Sequence, residues 1–217
     1  MKKFFVLGFL FILPLVAYMF FAAANHNFSL LPTLGEPIED LPAETLSMRG
    51  DTIVFDSNIT VLGFLGKDVK SRYGHVFNVA HKIYTPYSEF YDLQFVWLIP
   101  EGSEETIPDL EEKLKQIKET NKWQFVVLSD LEIRKLKADL ESPYSLEDDL
   151  GSDYVYIVDK DRKLRGRDDD EDVGTLYGYD ASNLAEIDDK MTDDVKVVLE
   201  EYRRALKKNN KYKRKQL

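Results

Sequence analysis

The sequence predicts an α/β fold, in which helices cover both faces of a mixed central sheet and one transmembrane helix precedes the sheet. Three observations support this prediction. Continuous apolar runs, which are typical of strands buried on both faces, alternate with segments whose apolar residues recur at helical spacing. A turn-rich segment with hairpin spacing follows them. A long amphipathic segment then closes the chain.

Composition excludes several classes of function. The chain has 217 residues, 44% of them hydrophobic, which is enough for a proper core, and its formal net charge of −10 would repel a phosphate backbone. We therefore expect a globular domain and no nucleic-acid partner. The absence of cysteine excludes disulfides, thiol catalysis, iron–sulfur clusters and cysteine-based zinc sites. Any chemistry must then use carboxylates, hydroxyls or the three histidines.

The N-terminus predicts a membrane span. Lys2 and Lys3 precede an uncharged apolar run at residues 4–24, and at ~1.5 Å per residue such a run reaches roughly 30 Å, the thickness of the hydrocarbon core. We expect an uncleaved anchor, although the alanines at 22–24 would also suit a signal peptidase and so a secreted protein. Because positive residues stay cytoplasmic, the rest of the chain is expected on the extracytoplasmic, periplasmic side.

The remainder divides into three parts. Residues 25–45 contain scattered prolines and a glycine and predict a linker, residues 46–208 predict the domain, and residues 209–217 predict a basic tail. The basic residues from Lys207 to Lys215 have no acidic neighbour. They suit contact with anionic lipid or an acidic partner, or a disordered solubilising end. Arg49-Gly50-Asp51 spells an adhesion signal, but a hairpin turn between two apolar runs explains it better.

The order of elements within the domain is informative. Apolar runs and helical spacings predict, in order, a strand at 59–65, a helix from 69 ended by Pro86, strands at 93–100 and 123–128 with a helix at about 108–119 between them, a helix after the Ser129-Asp130 cap, a hairpin of 154–158 with 164–167, and a helix at about 192–207. This is the order of a thioredoxin-like three-layer sandwich, although periodicity alone also allows other α/β orders.

The segment from Gly151 to Gly166, GSDYVYIVDKDRKLRG, resembles the strand–turn–strand of the Sco/SenC family. Residues 61–65, 100–101 and 121–125 resemble the same family in the same order. The resemblance implies a thioredoxin-like fold and a place among membrane-anchored copper chaperones of cytochrome oxidase assembly.

The departures from that family concern its chemistry. A thiol pair and a histidine hold copper there, and soft ligands with an imidazole are what copper prefers. The resemblance places these ligands at Asp68, Arg72 and Gly151 of this chain, so all three are missing. It therefore implies fold and location without the original activity, and we expect no cofactor and no enzyme.

Other candidate residues give weaker signals. His26, His75 and His81 lack the spacing of a helical metal pair. Lys67, Lys70 and Arg72 could contact an anion or a partner near a helix start, or could simply be solvated. The acidic run at 168–172 lacks the spaced ligands and glycine turn of a calcium loop. Leu176, Tyr177 and Tyr179 could form a partner patch or could pack on their own domain.

Two functions remain open on the sequence. The first is a membrane-anchored, redox-inactive, Sco-like domain that binds another envelope protein, as an assembly factor connected with respiratory oxidase or with metalloproteins. The alternative is a metal-ion-binding protein or envelope enzyme that uses carboxylates of residues 159–172.

Overall fold

The computed structural model describes residues 30–213 and, before them, residues 9–10, 12–14, 16 and 18–19. Most of the predicted membrane span, residues 25–29 of the predicted linker with His26, and residues 214–217 of the predicted tail lie outside the described residues. Within the described parts of the chain, no helix is both long and apolar enough to cross a bilayer. The anchor stays a prediction.

A mixed sheet forms the centre of the domain. The strands are β1 (Ile59–Phe64), β2 (Leu93–Pro100), β3 (Trp123–Leu128), β4 (Tyr154–Val158), β5 (Leu164–Arg165), β6 (Arg167–Asp170), β7 (Gly174–Leu176) and β8 (Tyr179–Asp180). The main sheet has the order β3-β2-β1-β4-β5, in which β1, β2 and β3 are parallel and β4 runs antiparallel to both β1 and β5. Strand β8 pairs with the start of β4, while β6 and β7 form a separate hairpin.

Among the described residues, four α-helices of seven or more residues flank this sheet. They are α1 (Tyr73–Val79), α2 (Ile107–Lys115), α3 (Asp130–Asp139) and α4 (Thr192–Lys213). Helices α1, α2 and α4 bury apolar residues on one face of the sheet, and α3 buries Ile133 and Leu136 on the other. Successive residues of β1 and β2 point into opposite cores. This explains why both strands are apolar throughout, as the sequence predicts.

Gly63, inside β1, leaves space for a side chain of the neighbouring strand. The ring of Trp97, on β2, lies where a Cβ at Gly63 would stand. Trp97 stacks on Trp123 with ring centroids 6.3 Å apart, and Phe95 stacks on Trp123 at 5.0 Å. The small residue therefore makes room for an aromatic stack in the core.

The first helix ends at Tyr87, one residue beyond Pro86, where the sequence predicts its end. The helix continues from Val79 through a π-helical turn at Ala80–Tyr84 into a last turn at Thr85–Tyr87. Pro86 directly follows the π-helical turn, which already interrupts the regular i→i−4 hydrogen bonds of the helix. The closing helix is also longer than predicted and runs to Lys213 instead of about 207.

The described part of the predicted linker is packed on the domain, which corrects the predicted boundary at residue 46. Leu31, Ile38 and Leu41 are buried. Thr33 forms an antiparallel bridge to Arg165 at the edge of the sheet. Prolines and glycine made this stretch look like a linker, but its three spaced apolar side chains belong to the two cores.

The predicted turn around Arg49-Gly50-Asp51 is confirmed. Leu46 and Thr52 form an antiparallel bridge, and the Gly50 amide donates to the Ser47 carbonyl at 2.8 Å. The Arg49 guanidinium binds Glu111 at 2.9 Å and Thr120. Its charge is therefore satisfied within the domain, as the hairpin interpretation requires.

Candidate functional site

The loop after β1 and the segment before β4 meet at the carboxyl edge of the parallel strands. Leu65 forms an antiparallel bridge with Gly151, and the Lys67 amide donates to the Asp149 carbonyl at 2.8 Å. Gly66 has a φ of +68°, and a Cβ there would lie 2.6 Å from the Gly151 nitrogen. The structure thus brings together the two regions that the resemblance assigned to one site.

Arg72 occupies the centre of this site. Its side chain enters the domain at the end of a short 3₁₀ turn and is buried, with the residue 4% exposed. Nη1 donates to Asp149 at 2.6 Å and to the Leu65 carbonyl at 3.1 Å. Nη2 lies 3.2 Å from the other Asp149 oxygen and 2.8 Å from Glu147. The two carboxylates together neutralise the guanidinium, as a buried charge requires.

The guanidinium lies directly against Gly151. A Cβ at that position would overlap the Arg72 Cζ atom and its neighbouring nitrogens. Because glycine has no Cβ, residue 151 leaves room for the Arg72 guanidinium. Asp68, the third predicted position, has an exposed side chain, and its amide donates to Asp149 at 3.2 Å.

Electrostatics keep Asp149 and Arg72 ionised. Burial acts to raise the pKa of Asp149, but hydrogen bonds from Arg72 and from the Gly151 and Asp68 amides outweigh burial and lower it. Burial acts to lower the pKa of Arg72, and the hydrogen bonds to Asp149 and Glu147 raise it overall. The result is a fixed ion-pair cluster, which we call the Arg72 cluster: Arg72, Glu147 and Asp149.

His75 lies beside the Arg72 cluster. Its Nε2 atom is 3.6 Å from Asp153, and its buried Nδ1 atom has no hydrogen-bond partner. Burial lowers the pKa of His75, against the opposing effect of Asp153, so the imidazole is neutral near pH 7. His81 is exposed. Among the described residues, no group of three or more histidines, aspartates or glutamates is arranged to hold a metal ion.

Two of the three predicted cationic contacts have carboxylate partners in the fold. Arg72 binds the two carboxylates of its cluster, and Lys67 binds Asp130 at 3.0 Å. Lys70 is exposed beside Asp68. This geometry gives no support to an anion site, because carboxylates already neutralise two of the three cations.

The predicted partner patch is corrected by the structure for two of its three residues. Leu176 and Tyr179 are buried, and the Tyr179 hydroxyl donates to Asp194 at 2.7 Å. Only Tyr177 is partly exposed. The aromatic residues of this connection pack on their own domain, which is the alternative that the sequence left open.

The acidic region at 159–172 does not gather its carboxylates into one site. Asp159 is buried and binds Arg165 at 3.0 Å together with amides of its own turn. Asp170 binds Lys190 at 2.8 Å. Asp168 and Asp169 are exposed. The inner carboxylates therefore stabilise turns and ion pairs within the domain.

Sequence reasoning missed Glu147 and Asp149 as partners of Arg72. The signal was present in Glu147-Asp148-Asp149, a run of three acids without a basic neighbour, placed just before Gly151. Such a run by itself indicates only a solvated loop. Its pairing with Arg72 became visible once the bridge from Leu65 to Gly151 had brought the two segments together.

No family model and no curated protein matches the chain. Solved structures do match, and one of them is BsSco, a member of the Sco family of cytochrome c oxidase assembly proteins. It is 13% identical, with 78% of this chain and 97% of that chain covered and a TM-score of 0.53. A candidate protein disulfide isomerase from Bacteroides thetaiotaomicron is 11% identical, covers 79% and 95%, and has a TM-score of 0.51.

A candidate electron transfer protein from Aquifex aeolicus VF5 gives a similar result, with 11% identity, coverage of 76% and 98%, and a TM-score of 0.51. At such identities the likeness shows the fold alone. The predicted thioredoxin-like α/β fold with a mixed central sheet is confirmed, and a Sco protein is among its structural neighbours.

The residues at the inferred copper positions do not fit copper. Asp68, Arg72 and Gly151 supply neither thiolate nor imidazole, which are the ligands that copper prefers. A guanidinium, itself a cation, fills the space against Gly151. We therefore assign no metal-dependent step to this site.

Proposed function

We propose that the chain is a membrane-anchored, redox-inactive, Sco-like domain on the extracytoplasmic side, which binds another envelope protein during assembly of a respiratory oxidase or another metalloprotein. The Arg72 cluster carries the proposal. A charged side chain with its own counter-ions fills the position that the resemblance assigns to a metal and its ligands. The scaffold is kept while its chemistry is replaced by an internal ion pair.

Two further observations support a binding role. The chain has no cysteine for thiol–disulfide exchange. The edge that carries the Arg72 cluster also exposes acidic side chains, among them Asp68, Glu101, Glu105 and Asp148. Exposed charges around an ordered loop suit recognition of another protein more than chemistry in a water-excluded pocket. BsSco, a structural neighbour, belongs to a family of oxidase assembly proteins.

Site-specific cross-linking in intact membranes tests the binding role. A photo-reactive amino acid at Asp148, exposed beside the Arg72 cluster, is expected to give one discrete product with an oxidase subunit or another assembly protein. The same residue at Glu44, exposed in the N-terminal segment, serves as the matched control. Equal products from both positions, or none from Asp148, would contradict a binding edge at this site.

Calorimetric titration with Cu⁺ and Ca²⁺ tests the absence of metal chemistry and addresses the ion-binding alternative. We expect no saturable uptake of either ion, because Arg72 repels a cation and the inner carboxylates of 159–172 are already paired. Stoichiometric binding of Cu⁺ would overturn the redox-inactive assignment. Stoichiometric binding of Ca²⁺ that is lost in Asp168→Asn with Asp169→Asn would favour the alternative.

Extraction with alkaline carbonate tests the anchor. A helix formed by residues 4–24 would keep the chain in the membrane pellet, because burial of so long an apolar run is effectively irreversible. Recovery of a soluble form that begins near Asn25 would show a cleaved signal instead.

A further inference from the structure

A buried lysine and three hydroxyl groups form a second polar cluster, outside the Arg72 cluster. Lys137, in the last turn of α3, is 8% exposed. Its Nζ atom lies 3.2 Å from Ser142 Oγ and 3.3 Å from the Ser142 carbonyl oxygen. Ser142 Oγ lies 3.1 Å from the Tyr156 hydroxyl, which also hydrogen-bonds Ser152. We call Lys137, Ser142, Ser152 and Tyr156 the Lys137 cluster.

Among the described residues, the Lys137 amine has no carboxylate partner. Its contacts are the two Ser142 oxygens and the face of the Tyr156 ring, whose centroid is 5.7 Å from Nζ. Burial lowers the pKa of Lys137, and no neighbouring charge opposes this effect. A lysine so deeply buried usually has a paired charge. Lys137 is therefore neutral more often than an exposed lysine, and a neutral amine can accept a proton.

Ser142 is the member of the Lys137 cluster that reaches the surface. It is partly exposed, whereas Tyr156 and Ser152 are buried. Burial raises the pKa of Tyr156 to about 12, so its hydroxyl keeps its proton at neutral pH and can donate to Ser142 Oγ. The Ser142 hydroxyl can then donate to neutral Lys137 Nζ. A serine nucleophile needs this arrangement of a base and a donor for the charge that develops on Oγ.

Two stacked tyrosine rings lie beside Ser142. Tyr144 follows Ser142 by two residues, and Tyr154 precedes Tyr156 by two residues on the same face of β4. The two rings are nearly parallel, with centroids 3.8 Å apart, and both residues are partly exposed. Aromatic rings supply a large apolar contact area. The surface beside Ser142 therefore suits an apolar acyl group.

We propose that Ser142 is a nucleophile for acyl transfer, with Lys137 as its general base and carboxylic esters of apolar acids as the substrate class. Ser142 Oγ attacks the ester carbonyl carbon, and its proton passes to Lys137 Nζ. The bond from Oγ to carbon forms, the ester C–O bond breaks, and Lys137 returns the proton to the leaving alcohol. Water then attacks the acyl-serine by the same route, which releases the acid and restores Ser142. This activity is independent of the proposed anchor and of binding at the Arg72 cluster.

A fluorophosphonate probe, which reacts with activated serines, tests the nucleophile on the full chain in detergent. We expect labelling that mass spectrometry of peptides locates at Ser142. Ser142→Ala should lose this label, and Ser145→Ala, at an exposed serine of the same loop, should keep it. The native chain should also hydrolyse 4-nitrophenyl butyrate, and Ser142→Ala should not. Labelling of Ser142→Ala at the native rate, or ester hydrolysis no faster than in the urea-unfolded chain, would overturn the proposal.

Two substitutions of Lys137 test the base. Lys137→Met has a similar buried volume without an amine, and Lys137→Arg keeps the charge and the donors but stays protonated. We expect labelling and hydrolysis to fall about 100-fold in both variants, the usual contribution of a general base. In the native chain both rates should rise with pH through a midpoint below the ordinary lysine pKa of about 10.4. Native rates in folded Lys137→Met or Lys137→Arg, as verified by circular dichroism, would show that the lysine is only structural and would overturn its role as base.

Discussion

The position of the Arg72 side chain depends on the absence of a side chain at Gly151. Glycine has no side chain, so the guanidinium of Arg72 can lie against the backbone at residue 151 and reach Asp149 and Glu147 from there. The buried cation is tolerated because two carboxylates pair with it. The Arg72 cluster thus ties the loop after β1 to the segment before β4.

Gly151→Ala should therefore be strongly destabilising. The new methyl group overlaps Arg72 Cζ, so the guanidinium must leave its carboxylates. We expect a loss of about 3 kcal/mol in the free energy of unfolding, measured by urea denaturation. Gly74→Ala is the matched control, because a Cβ there meets no atom within 4 Å and alanine favours a helix. If the two variants lose the same stability, the close packing on Arg72 is not what requires glycine.

Arg72→Gln should show a pH-dependent loss of stability. The hydrogen bonds from Arg72 help to lower the pKa of Asp149 below its ordinary value. A carboxylate with a lowered pKa adds stability above the pKa of the unfolded chain, near 4, and that stability is lost as pH falls through the folded value. The variant should be less stable by about 2 kcal/mol at neutral pH, and this deficit should shrink below about pH 4.

The same urea measurements on Arg134→Gln provide the comparison. Arg134 is exposed on α3, and removal of its charge should have an effect within about 0.5 kcal/mol at any pH. A deficit of Arg72→Gln that stayed constant down to about pH 3 would contradict a role for carboxylate ionisation in the Arg72 cluster.

At the scale of elements, the sequence predicted best where local pattern and tertiary environment agree. The apolar runs at 93–100, 123–128 and 154–158 became strands with those same bounds, because each is buried against neighbours on both faces. The packed segment at residues 30–45 was missed. Its few contacts are to residues of the sheet edge that are far away in sequence. They therefore produce no periodic apolar pattern within the segment itself.

The candidate site was predictable only in its location. The order of strands placed the loop after β1 near Gly151, and the structure confirms that these segments meet. What fills the site depends on the side-chain path of Arg72 and on two acids at 147 and 149, more than seventy residues away in sequence. No spacing rule connects residues so far apart.

Helix α3 allows a prediction at the same scale. Ser129 and Glu132 form a reciprocal capping box, in which the Glu132 amide donates to Ser129 Oγ at 3.3 Å and the Ser129 amide donates to Glu132 at 2.9 Å. Ser129→Ala should lower the free energy of unfolding by about 1 kcal/mol. Ser145→Ala, at an exposed loop position, should change it by less than about 0.5 kcal/mol in the same denaturation experiment. Equal effects would show that the cap contributes nothing specific.

The whole molecule is held together from both ends of the described chain. The segment at 30–45 runs along β5, where the Leu34 amide donates to Leu164 at 2.8 Å and the Ile38 amide to Arg162 at 2.9 Å. Arg165 then connects this segment to α4 through Leu31 and Glu201. Because these contacts join the N-terminal segment, the sheet and the last helix, we expect them to unfold as one cooperative unit.

Removal of this segment tests that cooperativity. A chain that begins at residue 46 lacks the buried side chains of Leu31, Ile38 and Leu41, each worth roughly 2 kcal/mol of burial. It also lacks the Asp40 carboxylate, which accepts hydrogen bonds from the Phe55 and Asp56 amides at 2.8 and 3.1 Å. The free energy of unfolding should therefore fall by about 5 kcal/mol or more relative to a chain that begins at residue 30, which is comparable with the total stability of many domains. Circular dichroism during urea and thermal unfolding measures both chains. Leu30→Ala in the longer chain, at an exposed position of the segment, is the control for a change without burial. Unfolding of the two chains at the same midpoint would show that residues 30–45 only lie on the domain without stabilising it.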